Sequence, residues 1–257
     1  MATPKPASPK ERGTEVHNCV AGENWRKELF HTVYSEISLQ LAKNVSIEER
    51  EQMERNGYVC DWSLLYGEIE FSALETAFVI IRERGGGLKG EEGSTFVDLG
   101  SGSGKAVVAA ALLHNFNNCV GLEILKNLHD LAMSASMKWE QLKLSSPALS
   151  KMTSNLHFIH GDMLEYDLSN AHVVLANSTG YDENLMSKLS KCTEKMEPGS
   201  FFISFSQCLP SPAFKVIGSA RCKQSWGIAT LFIHKRLPKR EALMNKLARR
   251  ASSNHRF

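Results

Sequence analysis

The sequence predicts an open α/β fold: a doubly wound, mostly parallel sheet with an antiparallel edge pair, preceded by a helical lead-in. Three observations carry this. Short apolar runs alternate with amphipathic stretches from Thr95 to Ser206, the mark of strands and helices taken in turn. The first of those runs enters a glycine-rich turn, Gly100-Ser101-Gly102-Ser103-Gly104. The last two, Val216–Cys222 and Ile228–His234, have no helix between them, so they pair antiparallel at one edge.

Taken in order, residues 1–15 are rich in proline, lysine and serine without apolar periodicity, and are expected to form a disordered arm. Residues 16–92 form the lead-in. From Glu23 to Asn44, Leu29, Phe30, Val33, Ile37 and Leu41 recur at helical spacing, and Ser46 with Glu49 reads as a capping box opening a second helix. Ser72 starts a third over Ala73–Arg84, stopped by Gly85-Gly86-Gly87. The catalytic unit, 93–236, then reads strand Thr95–Asp98, helix Lys105–His114, strand Cys119–Leu122 and helix Leu125–Leu144. Strands Leu156–His160, His172–Ala176 and Ser200–Ser206 follow, with a helix over Asp182–Met196 ended by Pro198-Gly199. Residues 237–257 form a basic tail.

The composition is that of an ordinary globular enzyme, with 42% apolar and 23% charged residues in 257, enough for one sizeable core. The six cysteines never form a Cys-x-x-Cys pair, which argues against a disulfide framework or zinc module and for a reducing compartment. No metal is predicted: His157 and His160 stand three apart on a strand and face opposite ways. The most apolar run, Ala106–Leu113, falls well short of the roughly 20 residues of a membrane span, so neither membrane insertion nor secretion is expected. Net charge is only +2, but the chain from Lys235 on is basic, with Lys235, Arg236, Lys239, Arg240, Lys246, Arg249, Arg250 and Arg256 against Glu241. That run suits either solvent or contact with phosphate or an acidic partner.

The chemistry concentrates at Phe96–Lys105, where a strand runs through a glycine turn into a helix. A phosphate-binding P-loop would need glycine at Leu99 and a hydroxyl at Ala106. The nicotinamide fingerprint would need glycine at Lys105. What remains, Asp98-x-Gly100-x-Gly102-x-Gly104 with Ser101 and Lys105, resembles motif I of class I methyltransferases, in which the turn admits the methionine part of S-adenosylmethionine. Asp98 then orients the cofactor's ammonium, and the following helix start favours its carboxylate. Glu123, ending the second strand, suits the ribose hydroxyls. Asp162 can accept from the adenine amino group while Met163 covers the ring.

Several features together resemble the disruptor-of-telomeric-silencing class of histone H3 lysine methyltransferases, in its compact protozoan-like form. They are Tyr66-Gly67-Glu68 before a helix upstream of motif I, motif I itself, Glu123, Gly161-Asp162, Asn177 with Tyr181, and Ser225-Trp226-Gly227. The resemblance runs from about Tyr34 to His234. It implies that Tyr66, Gly67, Glu68 and Ile69 fold over the methionine end of the cofactor, that Asn177 sits at the transfer site, and that Tyr181 and Trp226 wall the lysine channel. It also implies a nuclear protein acting on histone H3 in nucleosomes, with the basic tail touching DNA or the nucleosome's acidic patch. Two departures, Ser178-Thr179-Gly180 after Asn177 and a final strand Thr230-Leu231-Phe232-Ile233 without tyrosine, keep a non-histone protein or small-molecule substrate open.

Overall fold

The structure is a computed structural model that describes residues 24–88, 93–147, 149–150 and 152–253. Seven strands form one sheet: β1 (Thr95–Leu99), β2 (Asn118–Glu123), β3 (Asn155–His160), β4 (Val173–Ala176), β5 (Phe201–Phe205), β6 (Phe214–Gln224) and β7 (Gly227–Arg236). Their spatial order is β3-β2-β1-β4-β5-β7-β6. The first five are parallel, and β7 runs antiparallel between β5 and β6. This is the class I methyltransferase sheet. The expected edge pair is present, with its second strand inserted inward and β6 outermost. The order reverses between β1 and β4, so the crevice above their carboxyl ends is the topological switch point where α/β folds place ligands.

Helices α1 (Asn24–Val33), α3 (Phe71–Arg84), α4 (Lys105–Leu113) and α5 (Lys126–Ser145) share one core with one face of the sheet. The other face is covered by α6 (Glu183–Thr193). Residues 161–172, between β3 and β4, carry no helix; Leu168 and Ala171 plug that face instead. Helix α4 is apolar all round because it lies between α3, α1 and the sheet, and its alanines let those neighbours approach. Below it, Phe78, Phe96 and Phe116 meet at centroid distances of 5.7–6.3 Å, the usual range for edge-on aromatic packing.

The lead-in differs from its periodicity in one respect. The stretch expected as one helix is two, because the chain turns at residues 34–38 and α2 (Leu39–Arg55) begins afresh. Ser38, extended at ψ 157°, caps it by accepting the Leu41 N–H at 3.1 Å. Ser46 is therefore no cap; it lies buried within α2. The turn swings Tyr34 inward, where its hydroxyl donates to the Ser103 carbonyl at 3.3 Å, a contact a straight helix would forgo. Likewise α3 begins at Phe71, with Glu70 at its cap position and no side-chain bond there, so Ser72 lies inside its first turn. The expected arm, and Cys19, fall outside the described residues. The basic tail contains α7 (Lys239–Ser253). No described helix is long and apolar enough to cross a membrane.

Gly121 on β2 shows how tightly the sheet supports the motif I turn. A Cβ there would stand 2.7 Å from Ser101 Oγ and 2.8 Å from the Phe158 ring. Gly121→Ala is expected to lower stability by about 1–3 kcal/mol, read from urea unfolding midpoints; an unchanged midpoint would refute the close approach.

Candidate functional site

A cavity of about 410 Å3 opens above the carboxyl ends of β1, β2 and β4. Its floor includes Gly100, Ser101 and Gly102 of the turn after β1. The Gly100 and Ser101 N–H groups donate to the Leu122 carbonyl at 2.9 and 2.8 Å. The Gly102 N–H donates to Glu123 Oε2 at 2.7 Å, while Glu123 Oε1 accepts the Leu125 N–H at 2.9 Å. One carboxylate thus ties the turn after β1 to the start of α5. Gly102 has φ +54°, and a Cβ on it would lie 2.5 Å from the Tyr66 ring; the missing side chain is what lets that ring lie over the turn.

The wall above is residues 66–69. Tyr66 hydroxyl donates to Glu68 Oε1 at 2.9 Å and meets Ser103 Oγ at 2.8 Å. Lys105 Nζ, on the first turn of α4, donates to Glu68 Oε2 at 2.7 Å, a pair largely shielded from solvent. From behind, the Glu68 N–H donates to Ser225 Oγ at 2.8 Å, the Ser225 N–H returns to the Glu68 carbonyl at 3.2 Å, and the Glu70 N–H donates to Gln224 at 2.9 Å. The wall is therefore fastened both to motif I and to the β6–β7 turn.

The electrostatics are lopsided. Asp98 and Glu123 are buried, and burial raises the pKa of each above the ordinary carboxylate range; Glu123 adds to the rise at Asp98. Backbone N–H groups of Leu125, Gly102 and Ile124 oppose the rise at Glu123. The charge that bears on Asp98 is another carboxylate, so a ligand bringing positive charge relieves the site.

Among the expected residues, Tyr66, Gly67, Glu68, Ile69, Asp98, Gly100, Ser101, Gly102, Lys105, Glu123, Asp162, Met163, Asn177 and Tyr181 all line this cavity. Gly104 lies behind it, at φ +84° with the Phe158 ring 2.6 Å from an added Cβ. Asp162 Oδ1 accepts the Leu164 N–H at 2.8 Å. Tyr181 is buried, with its hydroxyl directed to the Leu99 carbonyl at 3.3 Å and Met163 Sδ at 3.6 Å, so it braces the turn from below. Trp226 is outside the lining: its ring packs on Gly67, 2.6 Å from where a Cβ would sit, and edge-on to Phe205. It supports the wall from behind.

The family model described as "Histone methylation protein DOT1" matches residues 44–223. The chain belongs to the DOT1 histone methylation family. Its fold accordingly is that of the class I enzymes that use S-adenosylmethionine. A curated relative, the "Histone-lysine N-methyltransferase, H3 lysine-79 specific" of Eremothecium gossypii, is 31% identical over 122 residues, covering 46% of this chain. The chain spans about a fifth of that relative's length, 21%. Among solved structures, it is similar to an RNA methyltransferase from Salinibacter ruber in complex with S-adenosyl-L-homocysteine (22% identity, 64% of this chain, 91% of the other, TM-score 0.41). TrmN from Thermus thermophilus is another (19%, 63%, 48%, 0.44).

Within this DOT1 chain, Gly180 stood out in the sequence only as part of a departure, not as a point of close backbone approach. A Cβ on it would sit 2.4 Å from the Trp62 carbonyl, because the short 3-10 turn Trp62–Leu64 packs backbone to backbone on the turn Ser178–Gly180. The departure Ser178-Thr179-Gly180 thus lets the lead-in reach the loop after β4. Asn177, half-buried at that loop's start, accepts the Thr179 hydroxyl at 3.1 Å, and Thr179 meets Ser206 at 3.1 Å. A glycine directly after the hydroxyl pair Ser178-Thr179 could have signalled this approach.

A raised carboxyl pKa has a defined sign. The folded protein holds the Asp98 proton to higher pH than the unfolded chain, so this group's contribution is full at low pH and is lost as pH rises through the raised value. Ligand-free Asp98→Asn is expected to melt a few degrees higher than the parent at neutral pH, with the gap closing on acidification. Equal melting temperatures at neutral pH would show that Asp98 is not strained.

Proposed function

We propose that this chain transfers a methyl group from S-adenosylmethionine to the side-chain amine of a lysine on histone H3 within nucleosomes. The observation that carries the reading is the DOT1 family match over 44–223, joined to a cavity lined by the motif I turn and the Tyr66–Ile69 wall. We divide the chain accordingly: lead-in with covering wall over 16–92, catalytic unit over 93–236, basic tail over 237–257. A chromatin substrate implies a nuclear location.

The residues present fit the cofactor. Two buried carboxylates with raised pKa face each other without a basic neighbour contributing to Asp98, and glycines at φ +84° and +54° leave room on the turn between them. Asp98 holds the ammonium, Glu123 the ribose hydroxyls, and Asp162 with Met163 the adenine; Lys105 and the start of α4 favour the carboxylate. Tyr66, Gly67, Glu68 and Ile69 close over the methionine end. When bound, S-adenosylmethionine supplies an electrophilic methyl carbon on a sulfonium, which an amine displaces in line.

The chain's own part is positioning. Lysine must lose its proton first, from an ordinary pKa of about 10.4, and a water-poor channel disfavours the ammonium form. Proton loss to solvent then suffices, and no general base is assigned. Asn177 orients the amine at the end of β4. Tyr181 bounds the channel floor, and Trp226 keeps the wall in register through Gly67. Holding nitrogen and methyl carbon in line lowers the barrier by removing orientational freedom before reaction.

Labelled-methyl transfer to reconstituted nucleosomes, beside free histones and a cell extract, tests the reading. Label on histone H3 that falls at least about 100-fold in both Asn177→Ala and Gly102→Arg is expected. Label confined to non-histone extract components would turn the substrate to another protein or a small molecule.

The tail has a separate part. Lys239, Arg240 and Lys246 are exposed along α7, and we assign them contact with DNA or the acidic patch. Replacing all three with glutamate is expected to weaken nucleosome methylation several-fold and flatten its salt dependence, leaving transfer to free histone unchanged; equal loss on both substrates would refute a nucleosome-specific role.

A further inference from the structure

At the mouth of the cavity, the segment between α2 and the Tyr66–Ile69 wall exposes large apolar side chains close together. Val59 is 95% exposed, Trp62 75%, Tyr58 65% and Leu65 47%. Tyr58, Val59 and Leu65 also line the cavity, so the surface is continuous with the site. A contiguous exposed apolar patch beside a site is costly in water and marks a contact surface.

The segment is held in place. The Tyr58 N–H donates to the Met53 carbonyl at 3.0 Å, closing the end of α2. Asp61 caps the turn Trp62–Leu64 by accepting the Ser63 N–H at 2.8 Å. The Trp62 backbone rests on Gly180, which ties the patch to the loop that carries Asn177. A partner seated on this rim therefore sits at a fixed distance from the transfer position.

The charge around the opening selects the partner's chemistry. Asp98 and Glu123 are buried within the cavity and Glu68 is paired with Lys105, so the exposed charges of its lining are Asp61, Asp162 and Asp182 against Lys188. An acidic, apolar-rimmed mouth repels a nucleic acid and attracts a basic polypeptide. We propose that Tyr58, Val59, Trp62 and Leu65 dock a basic protein segment that carries a large apolar or aromatic residue beside the target lysine. This rests on the methyltransferase reading above and adds a substrate preference to it. The rim sets which lysines enter, through the neighbour each one brings.

The test uses the full chain with S-adenosylhomocysteine and three labelled probe peptides, followed by fluorescence anisotropy. The first is a basic peptide with phenylalanine and leucine beside a central lysine, the second the same peptide with serine at those places, and the third its acidic counterpart. The first is expected to bind about tenfold tighter than the second, and the third not at all. In the double variant Val59→Ser with Trp62→Ala, that preference disappears while S-adenosylmethionine affinity, which reports an intact fold, is unchanged. On nucleosomes the same variant raises KM with kcat held.

Equal binding of the first two peptides by the parent chain, or an unchanged preference in the double variant, overturns the rim. If the parent discriminates between the peptides yet methylates no histone, the histone reading fails and the rim stands. If the parent methylates nucleosomes and the double variant matches it in KM, the rim fails and the histone reading stands.

Discussion

The site depends on the clamp that β2 places on the turn after β1. Three successive N–H groups of that turn, from Gly100, Ser101 and Gly102, are taken by the Leu122 carbonyl and the Glu123 carboxylate. These bonds fix a left-handed turn that would otherwise sample many conformations, since glycine loses more freedom on ordering than any other residue. They do so with groups that belong to the adjacent parallel strand, paired in register so that Leu99 stands beside Leu122. The same Glu123 also holds the Leu125 N–H, so the turn, the end of β2 and the start of α5 move as one piece. A ligand carried on the turn is thereby set against the Glu123 carboxylate without further ordering.

That arrangement has an electrostatic cost. Burial raises both Asp98 and Glu123, and their mutual repulsion adds to the cost at Asp98. An obvious remedy would be a lysine between them, and Lys105 is near, on the first turn of α4. The structure pairs that lysine with Glu68 instead, which stabilises the wall and leaves the Glu123 carboxylate as the charge that bears on Asp98. A site built to hold a cationic ligand gains from this division: the strain is present before binding and is released by it, whereas an internal lysine would have to be displaced first.

Most of this architecture was legible in the sequence because strands and helices alternate cleanly after Thr95 and because motif I distinguishes its glycine spacing from two rival patterns. Boundaries there agree within one to three residues. The lead-in was less legible. Leu29, Phe30, Val33 and Ile37 repeat as one helix would, yet Tyr34 turns inward to Ser103 and Ser38 starts a new helix, a tertiary contact that local periodicity does not contain. Trp226 was expected beside the cavity and its ring packs behind the wall instead, whereas Tyr181 lines the cavity from beneath the turn; strand-end position fixes where a residue begins and packing fixes where its ring ends. Gly121 was silent, and the packing role of Gly180 was hidden, for a related reason. Each is needed for a neighbour far away in sequence, Ser101 with Phe158 in one case and the Trp62 carbonyl in the other.

Those close approaches bear on how the cover over the cavity works. A lid that opens and shuts needs hinges and weak contacts with the body. Residues 66–70 have neither: Gly67 is stacked on Trp226, Glu68 is bonded through its backbone to Ser225 and through its carboxylate to Lys105 and Tyr66, and Glu70 is bonded to Gln224. Gly180 lets the preceding turn rest on the loop after β4 in the same way. Because the lead-in also shares one core with the sheet and α4, opening the cover would mean disturbing that core, and packed interiors resist such change. The cover is a wall of the fold. Access to the cavity must then come through the mouth beside Tyr58 and Val59, and what stands at that mouth governs what can enter.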